Sequence, residues 1–260
     1  MPRGDSIMVN SSAQAYQDAL NYVLPISEIF ESIQGEGVRT GAQHTFIRIA
    51  GCSMPQPCKW CDTKFAFKED AGRQLTLREI VSLVHLRDVV ITGGEPLVHP
   101  RVRELCMILK DLNEADITIE TNGTIYRDAI RNYVDFFSIS PKLSSSGNTF
   151  DPRVIQTYLE RCSYWFKVQI KFVIDTRTDA DEKEVDSFLS AFQSLLELSG
   201  AYVVFQPMDD IEKKFALDEY VEVYRDLIEV GSSATAKYPK VRIQCLPQMH
   251  KILWERKPHC

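Results

Sequence analysis

Three cysteines fall within one short stretch of this chain, Cys52, Cys58 and Cys61, in the segment GCSMPQPCKWCDT that runs from Gly51 to Thr63. The last two are spaced C-x-x-C. Thiolates grouped this tightly are soft ligands and suit a metal better than a packed core. A 4Fe-4S cluster is ordinarily held by four Cys thiolates, so a loop that offers three leaves one iron open to another ligand. On these residues alone other readings stay open. Structural zinc would need a fourth ligand, and His44 and His85 lie outside the loop at no metal-ligand spacing to it. A disulfide would use two cysteines and strand the third.

Other reactive groups recur at places of one kind. Thr92-Gly93-Gly94-Glu95-Pro96, Thr121-Asn122-Gly123-Thr124, Ser140-Pro141-Lys142 and Gln206-Pro207-Met208-Asp209 each follow an apolar, strand-like run, as the cysteine loop itself does. In α/β folds ligands bind at the carboxyl ends of the strands, and turns chosen only for packing would have no reason to gather there. Gly93-Gly94 alone reads as a turn, but Glu95-Pro96 sets a carboxylate beside a backbone that a ligand can approach. Asn122-Gly123 is a common turn pair. Asp62 and Thr63 either cap the cysteine loop or offer oxygens beside it. Arg48, inside an apolar strand, either snorkels outward or aims a fixed cation at an anionic ligand.

The elements that must position these groups are those of an ordinary globular chain: 260 residues, 44% hydrophobic, 25% charged, net charge -6. No dense Lys/Arg cluster reads as a nucleic-acid face, and no run reaches the roughly 18 apolar residues of a membrane span. The segment MPRGDSIMVNSS has no apolar signal-peptide core, so a cytoplasmic location is expected. Residues 12–24 repeat apolar positions at helical spacing up to Pro25, which predicts a helical N-terminal extension over 1–25. His44 to Ala50 predicts a strand, and Thr76 with Glu79 a capping box opening a helix to Leu86. Strands then alternate with helices: strands at Asp88–Thr92, Asp116–Glu120, Asp135–Ser140, Trp165–Ile174, Ala201–Phe205 and Val241–Cys245, and helices at His99–Ala115, Tyr126–Tyr133, Asp151–Cys162, Asp179–Leu198 and Ala216–Val230. Gly231 to Ala236 reads as a flexible loop. Such alternation predicts parallel strands with right-handed crossovers. The expected fold is a single α/β domain over 1–260, an incomplete TIM-like (β/α)6 barrel, with an open doubly wound sheet as the alternative. Cys106, Cys162 and Cys245 are expected to pack rather than react, and Phe136-Phe137 to lie in the core.

Taken together, EIFESIQGEG, FIRIAGC, CKWCDT, ITGGEP, IETNGT, SISPK, QPMD and QMHK resemble the radical S-adenosylmethionine superfamily and, within it, the 7-carboxy-7-deazaguanine synthase family, from about Ile26 to Trp254. The cysteine spacing departs from the usual superfamily pattern, with five intervening residues instead of three in its first interval. The resemblance implies that Cys52, Cys58 and Cys61 hold a 4Fe-4S cluster whose open iron chelates S-adenosylmethionine. It implies that Trp60, Cys61, Asp62, Gly94, Ser140, Pro141, Lys142, Gln206, Pro207, Met208 and Asp209 line that cofactor and that Thr63 binds Mg²⁺. Ile33, Gln34, Gly35, Arg48 and Thr92 would contact a pterin, 6-carboxy-5,6,7,8-tetrahydropterin, with Glu36 nearby. The implied reaction is a radical ring contraction to 7-carboxy-7-deazaguanine with loss of ammonia, a lyase step of queuosine and deazapurine biosynthesis. A flavodoxin- or ferredoxin-type electron donor and a homodimer go with it. Two rivals remain: a radical activase of a glycyl-radical partner, which has no need of the Gln34-Gly35-Glu36-Gly37 turn or Arg48, and a non-catalytic zinc-binding interaction protein.

Overall fold

The computed structural model describes residues 14–162, 167–208 and 217–254. In chain order the elements are α1 (14–19), β1 (Val23–Ile33), β2 (Gln43–Ile49), β3 (Arg73–Thr76), α2 (Leu77–Ser82), β4 (Asp88–Gly93), α3 (Val102–Asn113), β5 (Asp116–Thr121), β6 (Phe136–Ile139), α4 (Pro152–Cys162), β7 (Val168–Ile174), α5 (Asp179–Ser199), β8 (Tyr202–Pro207), α6 (Leu217–Lys237), β9 (Arg242–Cys245) and α7 (Met249–Trp254). A 3-10 segment, Asp128–Tyr133, stands where a short helix is expected between β5 and β6.

All nine strands join one sheet in the order β3-β1-β2-β4-β5-β6-β7-β8-β9. From β2 to β9 every neighbouring pair is parallel, while β1 pairs antiparallel with β2 and β3. The inner parallel strands are the most enclosed: the edge strand β9 has no buried residue, whereas every residue of β7, VQIKFVI, is buried. A strand so enclosed reads as a continuous apolar run, not as an alternation. Against it packs a helical layer. In α3 the buried Val102, Leu105, Cys106 and Leu109 recur at three- and four-residue spacing, the stripe an amphipathic helix turns toward a core. At α2 the expected capping box is present: Glu79 N donates to Thr76 Oγ1 at 3.2 Å, and Thr76 N donates to Glu79 Oε2 at 2.7 Å. Cys106, Cys162, Phe136 and Phe137 are all buried. Among the described residues no helix is long and apolar enough to cross a membrane.

Two expectations are corrected. The helix expected over 12–24 stops at residue 19, and β1 begins at Val23 with Pro25 inside it. Proline lacks the N–H that a central strand needs, but here it sits beside a register irregularity between Ile26 and Glu28, where the β1–β2 ladder is already interrupted. Its carbonyl still accepts from Ala50 N at 2.8 Å. Gly231 to Ala236 is not a loop but lies in the last two turns of α6. Gly231 is there for proximity: a Cβ on it would meet Cys245 Sγ at 2.1 Å, so only glycine lets α6 lie this close to β9. Ser232 and Thr235 satisfy their hydroxyls on the carbonyls of Ile228 and Gly231, each at 2.8 Å, a local bond that lets polar residues remain helical. Short β3 and α7 carry no periodicity that a sequence reading can use. The beginning of the strand expected from Trp165 lies outside the described residues.

Candidate active site

The cysteine loop leaves the carboxyl end of β2 and is met by the turns that follow β4, β5 and β6. All of them open on one cavity of about 250 Å³. The closest meeting is with the turn after β4: a Cβ on Gly94 would lie 2.4 Å from Gly51 O and 2.8 Å from Cys52 Cβ. Glu95 N donates to Gly51 O at 2.8 Å. The Glu95 side chain is fully buried and turns away from the cavity, accepting from Leu97 N at 3.0 Å, Asn122 N at 2.7 Å and Thr121 Oγ1 at 2.8 and 2.9 Å. Burial pushes its pKa up to about 7, against the pull of these donors. It thereby fixes Asn122, whose Nδ2 donates to Ser53 Oγ at 3.0 Å.

Cys52, Cys58 and Cys61 are free thiols on the wall of this cavity. Burial raises the pKa of Cys52, and Glu95 and the other two cysteines add to the effect. A thiol raised in this way is poor as a free nucleophile, whereas a bound metal deprotonates it outright. Among the described residues no three His, Cys, Asp or Glu side chains are grouped to hold a single ion. Three thiols on one cavity wall, with neutral amide donors behind them, suit a multi-iron cluster. The buried Trp60 Nε1, Gln248 Oε1 and His250 Nε2, all in residues that line the cavity, have no hydrogen-bond partner among the described residues. Buried polar atoms are seldom left unpaired in a native fold, so these three mark places for a ligand.

The opposite wall is ionic. Lys171, from the middle of the buried β7, pairs with the Glu36 carboxylate. Burial alone would raise the Glu36 pKa; the Lys171 ammonium and then His250 outweigh it and hold the carboxyl well below the usual range. For Lys171 burial works toward neutrality, and Glu36 and Glu120 more than reverse it, so the ammonium is kept charged. Gln248 Nε2 donates to Glu36 Oε1 at 2.8 Å. Burial keeps His250 below its ordinary pKa, with Glu36 offsetting part of the effect, so the ring is neutral near pH 7. Glu120 accepts from Gln34 Nε2 at 2.9 Å and Thr92 Oγ1 at 3.2 Å. Arg48 does not snorkel: its Nε donates to Glu28 Oε1 at 2.6 Å and its guanidinium stands 5.9 Å from the Phe30 ring centroid.

Of the residues singled out in the sequence, Ile33, Gln34, Gly35, Glu36, Arg48, Trp60, Asp62, Thr63, Thr92, Gly94, Ser140 and Lys142 line the same cavity as the cysteines. Lys142 Nζ donates to Ser140 Oγ at 3.0 Å and lies 5.2 Å from the Trp60 ring centroid. Pro141, Gln206, Pro207 and Met208 are buried and are not on its wall; Gln206 Nε2 is spent on Pro247 O at 3.2 Å. Asp209 lies outside the described residues. Glu120, Lys171, Gln248, His250 and Lys251 line the cavity too; the motifs IETNGT and QMHK hold all of these but Lys171, yet none of the five has an individual role in the sequence reading. Lys171 had a signal, a lysine within an apolar strand, the same oddity that drew attention to Arg48.

A family model described as the radical SAM superfamily matches residues 46–194, a span that holds the cysteine loop and the turns after β4, β5 and β6. The chain belongs to the radical SAM superfamily, and membership implies a 4Fe-4S cluster and S-adenosylmethionine as resident groups. It is 41% identical over 255 residues to the 7-carboxy-7-deazaguanine synthase of Hyperthermus butylicus, covering 94% of this chain and 99% of that one. It is 36% identical over 176 residues to the synthase of Pyrobaculum aerophilum, covering 64% and 73%. Within the superfamily the chain therefore belongs to the 7-carboxy-7-deazaguanine synthase family, and it is an enzyme of the lyase type. The crystal structure of QueE from Escherichia coli matches it with a TM-score of 0.63 at 25% identity, covering 88% of this chain and 97% of that one.

Proposed function

We propose that this enzyme contracts the ring of 6-carboxy-5,6,7,8-tetrahydropterin to 7-carboxy-7-deazaguanine with loss of ammonia, as a step of queuosine and deazapurine biosynthesis. The observation that carries this reading is a single cavity with two chemically different walls, thiols on one and a buried ion network on the other, in a chain related along nearly its whole length to a 7-carboxy-7-deazaguanine synthase. Cys52, Cys58 and Cys61 would hold the cluster, and Trp60, Asp62, Gly94, Ser140 and Lys142 would surround S-adenosylmethionine. When bound, these two groups supply the one-electron chemistry that removes a hydrogen atom from the substrate.

The remaining work falls to the ionic wall. A pterin presents an amide N–H and an amino group on one edge and a carboxylate on another. Glu120 has lone pairs left after Gln34 and Thr92 are served, since a carboxylate accepts about four hydrogen bonds, so it can take the N–H edge. Gln34 and Thr92 then act by aiming Glu120. Lys171 and Arg48, held by Glu36 and Glu28, and Lys251 are cations on this wall that can meet the substrate carboxylate. Because Glu36 and Lys171 are already paired and oriented, little is reorganised when substrate binds. His250, neutral with a vacant Nε2, is placed to accept or donate a single proton.

Mg²⁺ is a hard ion suited to oxygen ligands, and Thr63 on the cavity wall would hold it together with the substrate carboxylate. The resemblance also assigns Pro141, Gln206, Pro207, Met208 and Asp209 to the cofactor; the first four stand buried behind the cavity wall. The curl of the sheet into six βα units, a single domain, a homodimer, a cytoplasmic location and a flavodoxin- or ferredoxin-type donor complete this reading. The test is anaerobic turnover of reconstituted protein with dithionite, S-adenosylmethionine, Mg²⁺ and the pterin, followed by mass detection. Formation of 7-carboxy-7-deazaguanine is expected. An intact cluster with no such product overturns the assignment and favours the activase reading.

A further inference from the structure

The loop between β6 and α4 grips the cysteine loop around Cys58, from Gln56 to Lys59. Lys59 N donates to Ser146 O at 2.9 Å, Gln56 Nε2 donates to Gly147 O at 3.0 Å, and Asn148 Nδ2 donates both to Gln56 O at 3.2 Å and to Cys58 Sγ at 3.4 Å. The gripping loop is itself anchored from behind. Ser145 Oγ donates to Asp181 Oδ2 at 2.6 Å, and Asp181, on the first turn of α5, is fully buried. Asn148 and Cys58 are buried as well.

The amide orientation of Asn148 follows from its surroundings. Gln56 O can only accept, so the group facing it must be the NH₂, whose second hydrogen is then directed at Cys58 Sγ. That N–H reaches a sulfur atom that the proposed function assigns to the cluster, and hydrogen bonds to ligating sulfurs are among the factors that set the reduction potential of an iron-sulfur centre.

We propose that Asn148 is a positioning residue that donates a buried hydrogen bond to the Cys58 thiolate and so makes one-electron reduction of the cluster more favourable, with the 143–148 loop serving to hold that amide in place. The inference rests on the cluster assignment but not on the identity of the substrate. Its physical basis is charge: reduction adds one negative charge, and a fixed N–H dipole at the sulfur stabilises the more negative state.

The test is a potentiometric titration of the reconstituted cluster with dithionite as reductant, read by the electron paramagnetic resonance signal of the reduced form, with iron per chain measured alongside. Asn148→Leu keeps the branched shape of the side chain and removes the donor. The expected result is full iron content with reduction about tenfold less favourable, a fall in midpoint of about 59 mV for one electron. Gln56→Ala removes a bond of the grip that does not touch sulfur, and its midpoint is expected to match wild type. Should the leucine variant lose iron, Asn148→Ala is titrated instead, with the same expectation. An unchanged midpoint in an iron-replete variant, an equal shift in Gln56→Ala, or loss of iron from both Asn148 variants overturns the proposal, the last outcome in favour of a purely structural loop. A wild-type protein that binds the cluster but forms no deazaguanine would contradict the proposed substrate and leave this titration unaffected.

Discussion

The two walls of the cavity are built on opposite principles. On the thiol side the groups nearest the cysteines are neutral amides carried on turns, Asn148 Nδ2 at 3.4 Å from Cys58 Sγ and Asn122 Nδ2 at 4.0 Å from Cys52 Sγ. On the facing side, charged side chains come from strands, Lys171 from β7, Glu120 from β5 and Arg48 from β2, and the neutral His250 ring comes from α7. A cluster that gains and loses an electron is served by dipoles that tolerate both states. A polar substrate that must be oriented is served by paired charges on rigid elements, because strands hold an angle better than turns do. The difference teaches that the redox half can be assembled from local sequence, whereas the recognition half depends on distant elements meeting.

The largest effect should come from the thiol wall. Cys58→Ala is expected to abolish the cluster and all turnover, read as loss of brown colour and of iron in elemental analysis, with the fold kept by circular dichroism. Full iron content in that variant, or zinc in place of iron in the wild type, would break the contrast at its base. Next comes the ionic wall. Lys171→Met leaves the partly buried Glu36 carboxylate without its ammonium partner and should cost about 3 kcal/mol in denaturant unfolding, while adding Glu36→Gln should return most of that loss. If the single variant were as stable as wild type, the pair would not be the strut described here.

Glu95 lies behind both walls and gives a pH signature. Its folded pKa of about 7 stands above the ordinary 4.5, so the folded state binds its proton more tightly than the unfolded chain. Stability relative to Glu95→Gln should therefore fall as pH rises from about 4.5 to about 7, and outside that window the two differ by a constant. The fall is about 3 kcal/mol, at about 1.4 kcal/mol for each pH unit between the two values. Parallel stability curves of the two cluster-free proteins would show that the carboxyl titrates normally. The smallest effect is assigned to Thr63→Ala, which should weaken the Mg²⁺ dependence of turnover several-fold while iron content stays at the wild-type level. Loss of iron would place Thr63 in the support of the loop instead.

The thiol wall was legible in the sequence because its information is local: three cysteines in one loop, and Gly93-Gly94-Glu95 at the end of a recognisable strand. The parallel βα order was legible from alternation. Lys171, Glu120, Gln248 and His250 were harder to see because each is unremarkable beside its own neighbours and gains meaning only across separations such as the 135 residues between Glu36 and Lys171. The overlong N-terminal helix has the same origin. Residues 12–24 repeat at helical spacing, but pairing of Val23–Ile26 with Arg73–Thr76 takes the end of that segment into the sheet. Glu95 was noticed as an acceptor facing a ligand, and the structure turns it inward, onto Thr121 and Asn122.

The claim that the two walls do separate jobs is tested most directly by the double variant Lys171→Met/Glu36→Gln, which carries no unpaired buried charge. After anaerobic reconstitution it should hold as much iron as wild type and still release 5'-deoxyadenosine from S-adenosylmethionine, while forming less than about one hundredth of the 7-carboxy-7-deazaguanine, the order of a lost positioning contact. Product formed at the wild-type rate, or a variant that fails to hold iron, would contradict the division.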